Sequence, residues 1–244
     1  MTFDPRVYNI QFKVDDSLHI SLETNRLIIR SIDSEEDEKN CINLFSDPEV
    51  MATYDTGFPY EEAEIKKYLE IWKKAWKNHD PFNGYVLLDK KSKEFIGVIL
   101  LWHSAPGEAE IAYALQKKFW KKGYAKEAVN AVSKFLIPRL MLRGYTLEDK
   151  HLKKLVATVR VDNPPASKKI LTSVGFKEEG RIYKYDTWNN SFGLFAKSLR
   201  NKYQNFFSRL DLRESQKKYA QVINEGVDIT AEDMAKLQVH RRVK

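Results

Sequence analysis

The stretch Gly107–Ala125, GEAEIAYALQKKFWKKGYA, constrains this chain most, because it joins a strand directly to a basic turn and a small-residue helix start. Glu108–Leu115 reads as the strand and Ala125–Leu136 as the helix. Between Gln116 and Lys126 lie Lys117, Lys118, Lys121, Lys122 and Lys126, and no acid. Backbone N–H groups of a tight turn, with the positive end of a helix dipole, hold a pyrophosphate without needing a particular side chain. The arrangement therefore suits a phosphorylated ligand. A second such unit follows, with a strand at Lys154–Val161 and then Asn163–Phe176, NPPASKKILTSVGF, with a helix over Ser167–Val174.

The rest of the chain frames these two units. FKVDDSLHISLE suggests a hairpin around Asp15-Asp16-Ser17, with apolar residues alternating on either side. Leu27–Ile29 are strand formers, and Ser34-Glu35-Glu36-Asp37 supplies a helix start with acids in its first turn. Glu35–Phe45 should be the first helix, ended by Asp47-Pro48-Glu49, with an irregular segment to Pro59. Glu61–Asn78 places Ile65, Tyr68, Leu69, Trp72 and Trp76 at helical spacing, as a core face or a lid over substrate. Tyr85–Leu88 and Phe95–His103 read as a hairpin, and Phe176–Lys184 and Ser191–Leu199 as closing strands. The sum is an α+β domain with a central mixed sheet and helices on both faces. Three parts follow: an extension over 1–21, the domain over 22–199, and a basic helical appendage over 200–244. In the appendage Tyr203, Phe206, Phe207 and Leu210 form a stripe, and Thr230-Ala231-Glu232-Asp233 resembles a capping box.

Bulk properties exclude several classes. The single cysteine, Cys41, permits no internal disulfide and points to a reducing compartment. It sits in CINLF, an apolar helical pattern in which a small buried thiol is ordinary. The start MTFDPRVYNI lacks the pattern of a signal peptide, and no apolar run reaches the length of a membrane span. The expected setting is cytoplasmic. His19, His79, His103, His151 and His240 are scattered, so no metal site is expected. The net charge is +7, and Lys197–Lys244 holds eleven basic against six acidic residues. A basic chain can bind nucleic acid or an anionic cofactor. The absence of interleaved basic and aromatic residues argues against nucleic acid.

Trp120-Lys121-Lys122-Gly123-Tyr124-Ala125, the Leu-Glu-Thr-x-Arg-Leu-x-x-Arg opening at Leu22–Arg30, and the block from Asn163 to Phe176 together resemble the GNAT superfamily of N-acetyltransferases. The nearest resemblance is to the ribosomal-protein N-terminal alanine acetyltransferases. It implies a mixed, mostly antiparallel sheet with helices on both faces and acetyl-CoA as co-substrate. The usual glycine after the motif's tryptophan is Lys121 here, which must either avoid a strained dihedral or compensate with its charge. The resemblance assigns the cofactor to Trp120, Lys121, Lys122, Gly123, Tyr124 and Ala125, to Ala114 and Leu115 on the preceding strand, and to Asn163 and Ser167. It also implies that Ile111–Leu115 splays from Leu155–Val161 and that the pantetheine arm pairs with the exposed backbone.

Amide formation from a thioester needs a deprotonated amine, a polarised carbonyl and a stabilised thiolate. The resemblance points to Glu110 as base, with Glu108 two residues away on the same face; a solvated acid at a hairpin mouth is the other reading. Ser167 takes the place of the family's thiolate-side serine, or caps its helix, or does both. Asn163 stands four residues before it, not the family's three, because of Pro164-Pro165. The helix lacks the tyrosine that many members carry there. His103 ends an apolar strand and reads as structural. Tyr54, Asp55, Phe58, Tyr60, Tyr183, Tyr185 and Trp188 fall in the segments that hold the acceptor in related proteins. Aromatics beside an acid suit a cationic amine: a peptide N-terminus, a polyamine or an aminosugar. A monomer or homodimer is expected, and a non-catalytic acyl-CoA-binding module with a partner-recruiting tail remains the rival reading.

Overall fold

The computed structural model describes residues 8–163 and 165–195. The appendage over 200–244, expected to be helical, lies outside the described residues. The sequence opens on a hairpin, β1 (Asn9–Val14) and β2 (Leu18–Glu23), followed by β3 (Leu27–Ser31). The hairpin adds to the domain's sheet rather than standing apart from it. Leu18, Ile20 and Leu22 turn inward, Tyr8 stacks on Phe135 at 4.1 Å, and Arg143 lies over the Phe12 ring at 4.1 Å.

Next come α1 (Glu35–Phe45), α2 (Pro48–Met51) and α3 (Glu62–Lys77). Ser34 and Asp37 form the capping box of α1, each side chain meeting the other's backbone N–H. Asp37 also takes a two-point contact from Arg30 at 2.7 and 2.9 Å. Burial works against its charge, but Arg30 and the backbone donors hold its carboxyl below the ordinary value. The segment after Phe45 is not wholly irregular: Asp47 caps the short α2 through the Glu49 N–H. In α3, Ile65, Leu69, Trp72 and Trp76 form the buried stripe, whereas Tyr68 is exposed. The two tryptophans pack into the core, and Asn83 Nδ2 donates to Trp72 O at 2.8 Å.

β4 (Gly84–Asp89), β5 (Phe95–Ala105) and β6 (Glu108–Leu115) form an antiparallel meander. The first seven residues of β5 are all buried, so both faces of the sheet are covered. The helix after the turn differs from the uninterrupted Ala125–Leu136 expected. It starts as α4 (Tyr124–Ala131), passes through a π-helical turn at Val132–Leu136, and continues as α5 (Ile137–Leu142). Pro138, which has no N–H to donate, falls where the π-helical turn passes into α5. The 143–153 segment forms a small hairpin, β7 (Thr146–Leu147) with β8 (Lys150–His151). Then come β9 (Lys154–Arg160), α6 (Ala166–Val174), β10 (Lys177–Lys184) and β11 (Thr187–Phe195).

The nine-stranded sheet runs β1-β2-β3-β4-β5-β6-β9-β11-β10. Every neighbouring pair is antiparallel except β6 with β9. The fold is thus the mixed, mostly antiparallel α+β arrangement that the sequence implies. The closing strand begins at Thr187, earlier than the expected Ser191, because Tyr185 (φ 57°) and Asp186 (φ 54°) make the turn. Two consecutive left-handed residues reverse the chain tightly without a glycine.

Candidate active site

The one parallel pair is also the place where the sheet comes apart. β6 and β9 pair only at Glu108↔Lys154, Ala109↔Leu155 and Glu110↔Val156. Beyond that point β6 runs on to Leu115 bonded to β5 alone, and β9 runs on to Arg160 bonded to β11 alone. Ile111–Leu115 and Ala157–Arg160 therefore face each other with open backbone edges in mid-sheet. Such an edge is costly inside a fold unless something strand-like completes it. A cavity of about 410 Å³ occupies the gap, lined on its strand walls by Ile111, Ala112, Tyr113, Ala157, Thr158 and Val159.

The basic turn closes one end of β6. Lys117–Phe119 forms a 3-10 turn, and Trp120 Nε1 donates to Leu115 O at 2.7 Å, folding the turn back on the strand. Lys121 adopts φ 58°, so it takes the glycine-like conformation rather than avoiding it. A side chain there costs about 1–2 kcal/mol. Gly123 (φ 82°) precedes α4, whose first N–H groups receive no side-chain cap. Lys117 pairs with Glu49, and Lys118 with Glu94 at 2.5 Å, so these two lysines are engaged away from the turn. Lys121, Lys122 and Lys126 remain exposed around the helix start.

A side-chain clamp sets this turn. Glu127 in the first turn of α4 accepts from Thr24 Oγ1 at 2.6 Å, Arg26 N at 3.0 Å and Arg26 Nε at 2.7 Å. Arg26 Nη1 donates to Lys122 O at 3.0 Å, and the guanidinium lies 4.4 Å from the Tyr124 ring centroid. The Leu-Glu-Thr-x-Arg opening thus buttresses the turn.

The cavity wall is charged where the pairing stops. Glu110 is 3% exposed; its Oε1 accepts from Thr158 Oγ1 at 2.9 Å and its Oε2 from Lys184 Nζ. Burial of Lys184 works against its charge, but Glu110 and Tyr185 prevail and hold the ammonium above its ordinary value. Asp55 Oδ2 accepts from the Tyr60 hydroxyl, while burial raises its carboxyl above the ordinary value. Burial likewise pushes the Tyr54 phenol well up. Arg160 pairs with Asp162 through Nε at 3.0 Å and Nη2 at 2.7 Å. A sheet opened beside a buried carboxylate, with an uncapped helix start at its end, can hold an extended anionic ligand and take a proton from an amine.

The acetyltransferase (GNAT) domain family matches residues 26–177, which hold both the open pair and the turn. The chain belongs to the GNAT acetyltransferase family. It is 29% identical over 168 residues to the uncharacterized N-acetyltransferase p20 of Bacillus licheniformis, covering 68% of this chain and 87% of that one. The ribosomal-protein-S5-alanine acetyltransferase of Vibrio fischeri shares the fold with a TM-score of 0.55 and 18% identity, covering 72% of this chain and 96% of that one. The spermidine N-acetyltransferase of Vibrio cholerae, solved with CoA and spermine, gives a TM-score of 0.54 and 21% identity, covering 71% and 97%. The protein is accordingly an acyltransferase of a family that uses acetyl-CoA.

Within this GNAT domain, Ala114 and Leu115 lie on the open edge, and Trp120 to Ala125 form the turn. Asn163 lines the cavity but donates Nδ2 to Thr53 O at 2.9 Å, tying the start of α6 to the 53–57 loop. The N-cap reading of Ser167 is overturned: Pro165 is the N-cap of α6, and Ser167 lies inside the helix. The extra proline shifts the helix start back toward Asn163. Ser167 lines the cavity beside Tyr113, whose hydroxyl is buried without a partner in hydrogen-bond geometry among the described residues. Burial raises that phenol above its ordinary value. Tyr113 went unnoticed in the sequence because it comes from β6 and not from α6. Its place on the strand between Glu110 and the turn was the available signal.

Glu108 is less buried than Glu110 and stands at the mouth of β6. His103 lies at the cavity rim and pairs with Asp80 at 2.9 Å. Of the aromatic residues grouped for the acceptor, Tyr54, Tyr60 and Tyr185 line the cavity with Asp55. Phe58, Tyr183 and Trp188 are exposed, the last two packed against each other.

Proposed function

We propose that the protein transfers an acetyl group from acetyl-CoA directly to a primary amine, with both substrates held across the β6–β9 gap. The observation that carries this is the pairing that stops at Glu110↔Val156 while both strands continue. The N–H groups from Lys121 to Ala125, with the dipole of α4, would hold the pyrophosphate. The open edges of Ile111–Leu115 and Ala157–Arg160 would bond the pantetheine amides as a neighbouring strand would. Acetyl-CoA, when bound, supplies an activated thioester. Glu110 takes the proton that the acceptor's ammonium loses, and its contacts with Thr158 and Lys184 fix where the carboxylate points. Ser167 and Tyr113, which line the same cavity, would offer hydroxyls to the thiolate that leaves as the amide bond forms and the C–S bond breaks. The acceptor is a protein N-terminus or a small amine; the resemblance to relatives named for ribosomal protein and spermidine supports both.

The test is thiol release from acetyl-CoA with free-N-terminus peptides, polyamines and aminosugars, using wild type and Glu110→Gln. Turnover that falls about a hundredfold or more in the variant, with CoA affinity unchanged by calorimetry, is the expected result. Equal turnover in both proteins would remove Glu110 from the role of base. No CoA binding by wild type would end the reading.

A further inference from the structure

Two half-buried charged side chains on the cavity wall each carry one buried atom whose hydrogen-bonding capacity the fold does not use. Asp55 Oδ2 is taken by Tyr60, but Oδ1 is buried without a partner among the described residues. Arg160 gives Nε and Nη2 to Asp162, but Nη1 is buried without a partner among the described residues. Folds rarely leave such atoms unmade, because each forfeits its hydration for nothing. Both residues line the same cavity as Glu110 and Lys184. Their placement is built in. Asp55 sits at φ 48° and Gly57 at φ 93°, and a Cβ on Gly57 would stand 2.3 Å from Arg160 Nη1. Only a glycine lets the guanidinium lie against this loop.

We infer, resting on the acetyl-transfer reading, that Asp55 and Arg160 recognise an amide beside the acceptor's amine, so that the acceptor is an α-amino amide. Arg160 Nη1 donates to the amide oxygen and Asp55 Oδ1 accepts from the amide N–H. One orphan donor and one orphan acceptor match one carbonyl and one N–H. A polyamine fits poorly, because its further ammonium groups need surplus acids. The cavity lining holds as many cationic as acidic side chains, Arg160 and Lys184 with Asp55 and Glu110. A free amino acid fits poorly as well. Its carboxylate prefers the two-point guanidinium edge that Asp162 already holds, would face Asp55, and offers no N–H. The amide can come from a free amino-acid amide or from the first residue of a peptide.

The experiment compares alaninamide, a free-N-terminus alanyl peptide, alanine and spermidine as acceptors, by thiol release, in wild type and Arg160→Met, with CoA affinity measured by calorimetry. The expected result is a kcat/KM for alaninamide or the peptide at least about tenfold above alanine and spermidine. Arg160→Met should raise KM for the amide about tenfold or more, with a smaller change in kcat and unchanged CoA affinity. Preference for the peptide over alaninamide would identify protein N-termini as the source, and the reverse would identify a small metabolite. Spermidine or alanine used as well as the amides would overturn the inference even if Arg160→Met fails to fold. So would an Arg160→Met loss shared equally by all four acceptors, or CoA binding without turnover of any of them. Absence of CoA binding by wild type would instead take down the acetyl-transfer reading.

Discussion

The turn at the end of β6 and the charged wall of the cavity solve opposite problems. The turn has little buried charge of its own: exposed lysines surround backbone N–H groups that a flexible ligand can reach. The wall buries Glu110, half-buries Asp55, Lys184 and Arg160, and fixes all four by hydrogen bonds drawn from separate segments. Backbone donors recognise a phosphate whatever the side chains are, whereas an acceptor is chosen by side chains held in place.

That contrast orders the effects of substitution. Glu110→Gln strikes the wall and should cost the most in turnover; a comparable loss from a turn lysine would break the comparison. Arg160→Met should come next, as a loss confined to acceptor KM. Glu127→Ala is the exception that sharpens the contrast, because it is a side chain on which the turn's geometry depends. It removes three contacts from Thr24 and Arg26. CoA affinity should fall about tenfold, and thermal unfolding should show a loss of about 1–2 kcal/mol. Unchanged CoA affinity in a folded Glu127→Ala protein would mean that the turn needs no clamp.

Asp55→Asn should separate stability from function. Burial raises the folded-state value of Asp55 above the ordinary 3.8. The folded chain therefore binds this proton more tightly than the unfolded chain does. The stability so gained is complete below pH 3.8 and is lost as pH rises through the raised folded value. At neutral pH the ionised carboxylate burdens the fold. Asp55→Asn should then be the more stable protein by about 1 kcal/mol, with its advantage growing from acid to neutral pH, while acceptor KM worsens. Thermal unfolding across that range checks the sign; an advantage that shrinks with rising pH would contradict it. The smallest effect belongs to Lys121→Ala. Its charge is exposed, so CoA affinity should fall only about two- to fourfold at low salt and be indistinguishable from wild type near 1 M. A titration at two salt concentrations suffices.

The same contrast explains what the sequence made legible. The strand, basic turn and helix lie in one contiguous run, so periodicity and charge located them without long-range information. The purpose of Thr24 and Arg26 was hidden, because their partner Glu127 lies about a hundred residues further on. The wall was hidden for the same reason. Asp55 was marked as an acid among aromatics, but nothing local announces that Arg160 will face it or that Lys184 will share Glu110. Ser167 looked like an N-cap because a serine near a helix start usually is one; the second proline, Pro165, took that place. The last hairpin was misplaced because Tyr185-Asp186 carries none of the usual turn glycine.

The most direct test of the central claim is amide hydrogen exchange with and without CoA. If the gap between β6 and β9 is where the pantetheine arm lies, CoA should slow exchange in Ile111–Leu115 and Ala157–Arg160 together with the 121–125 turn. Tight CoA binding that leaves both strand segments exchanging as before would contradict the account.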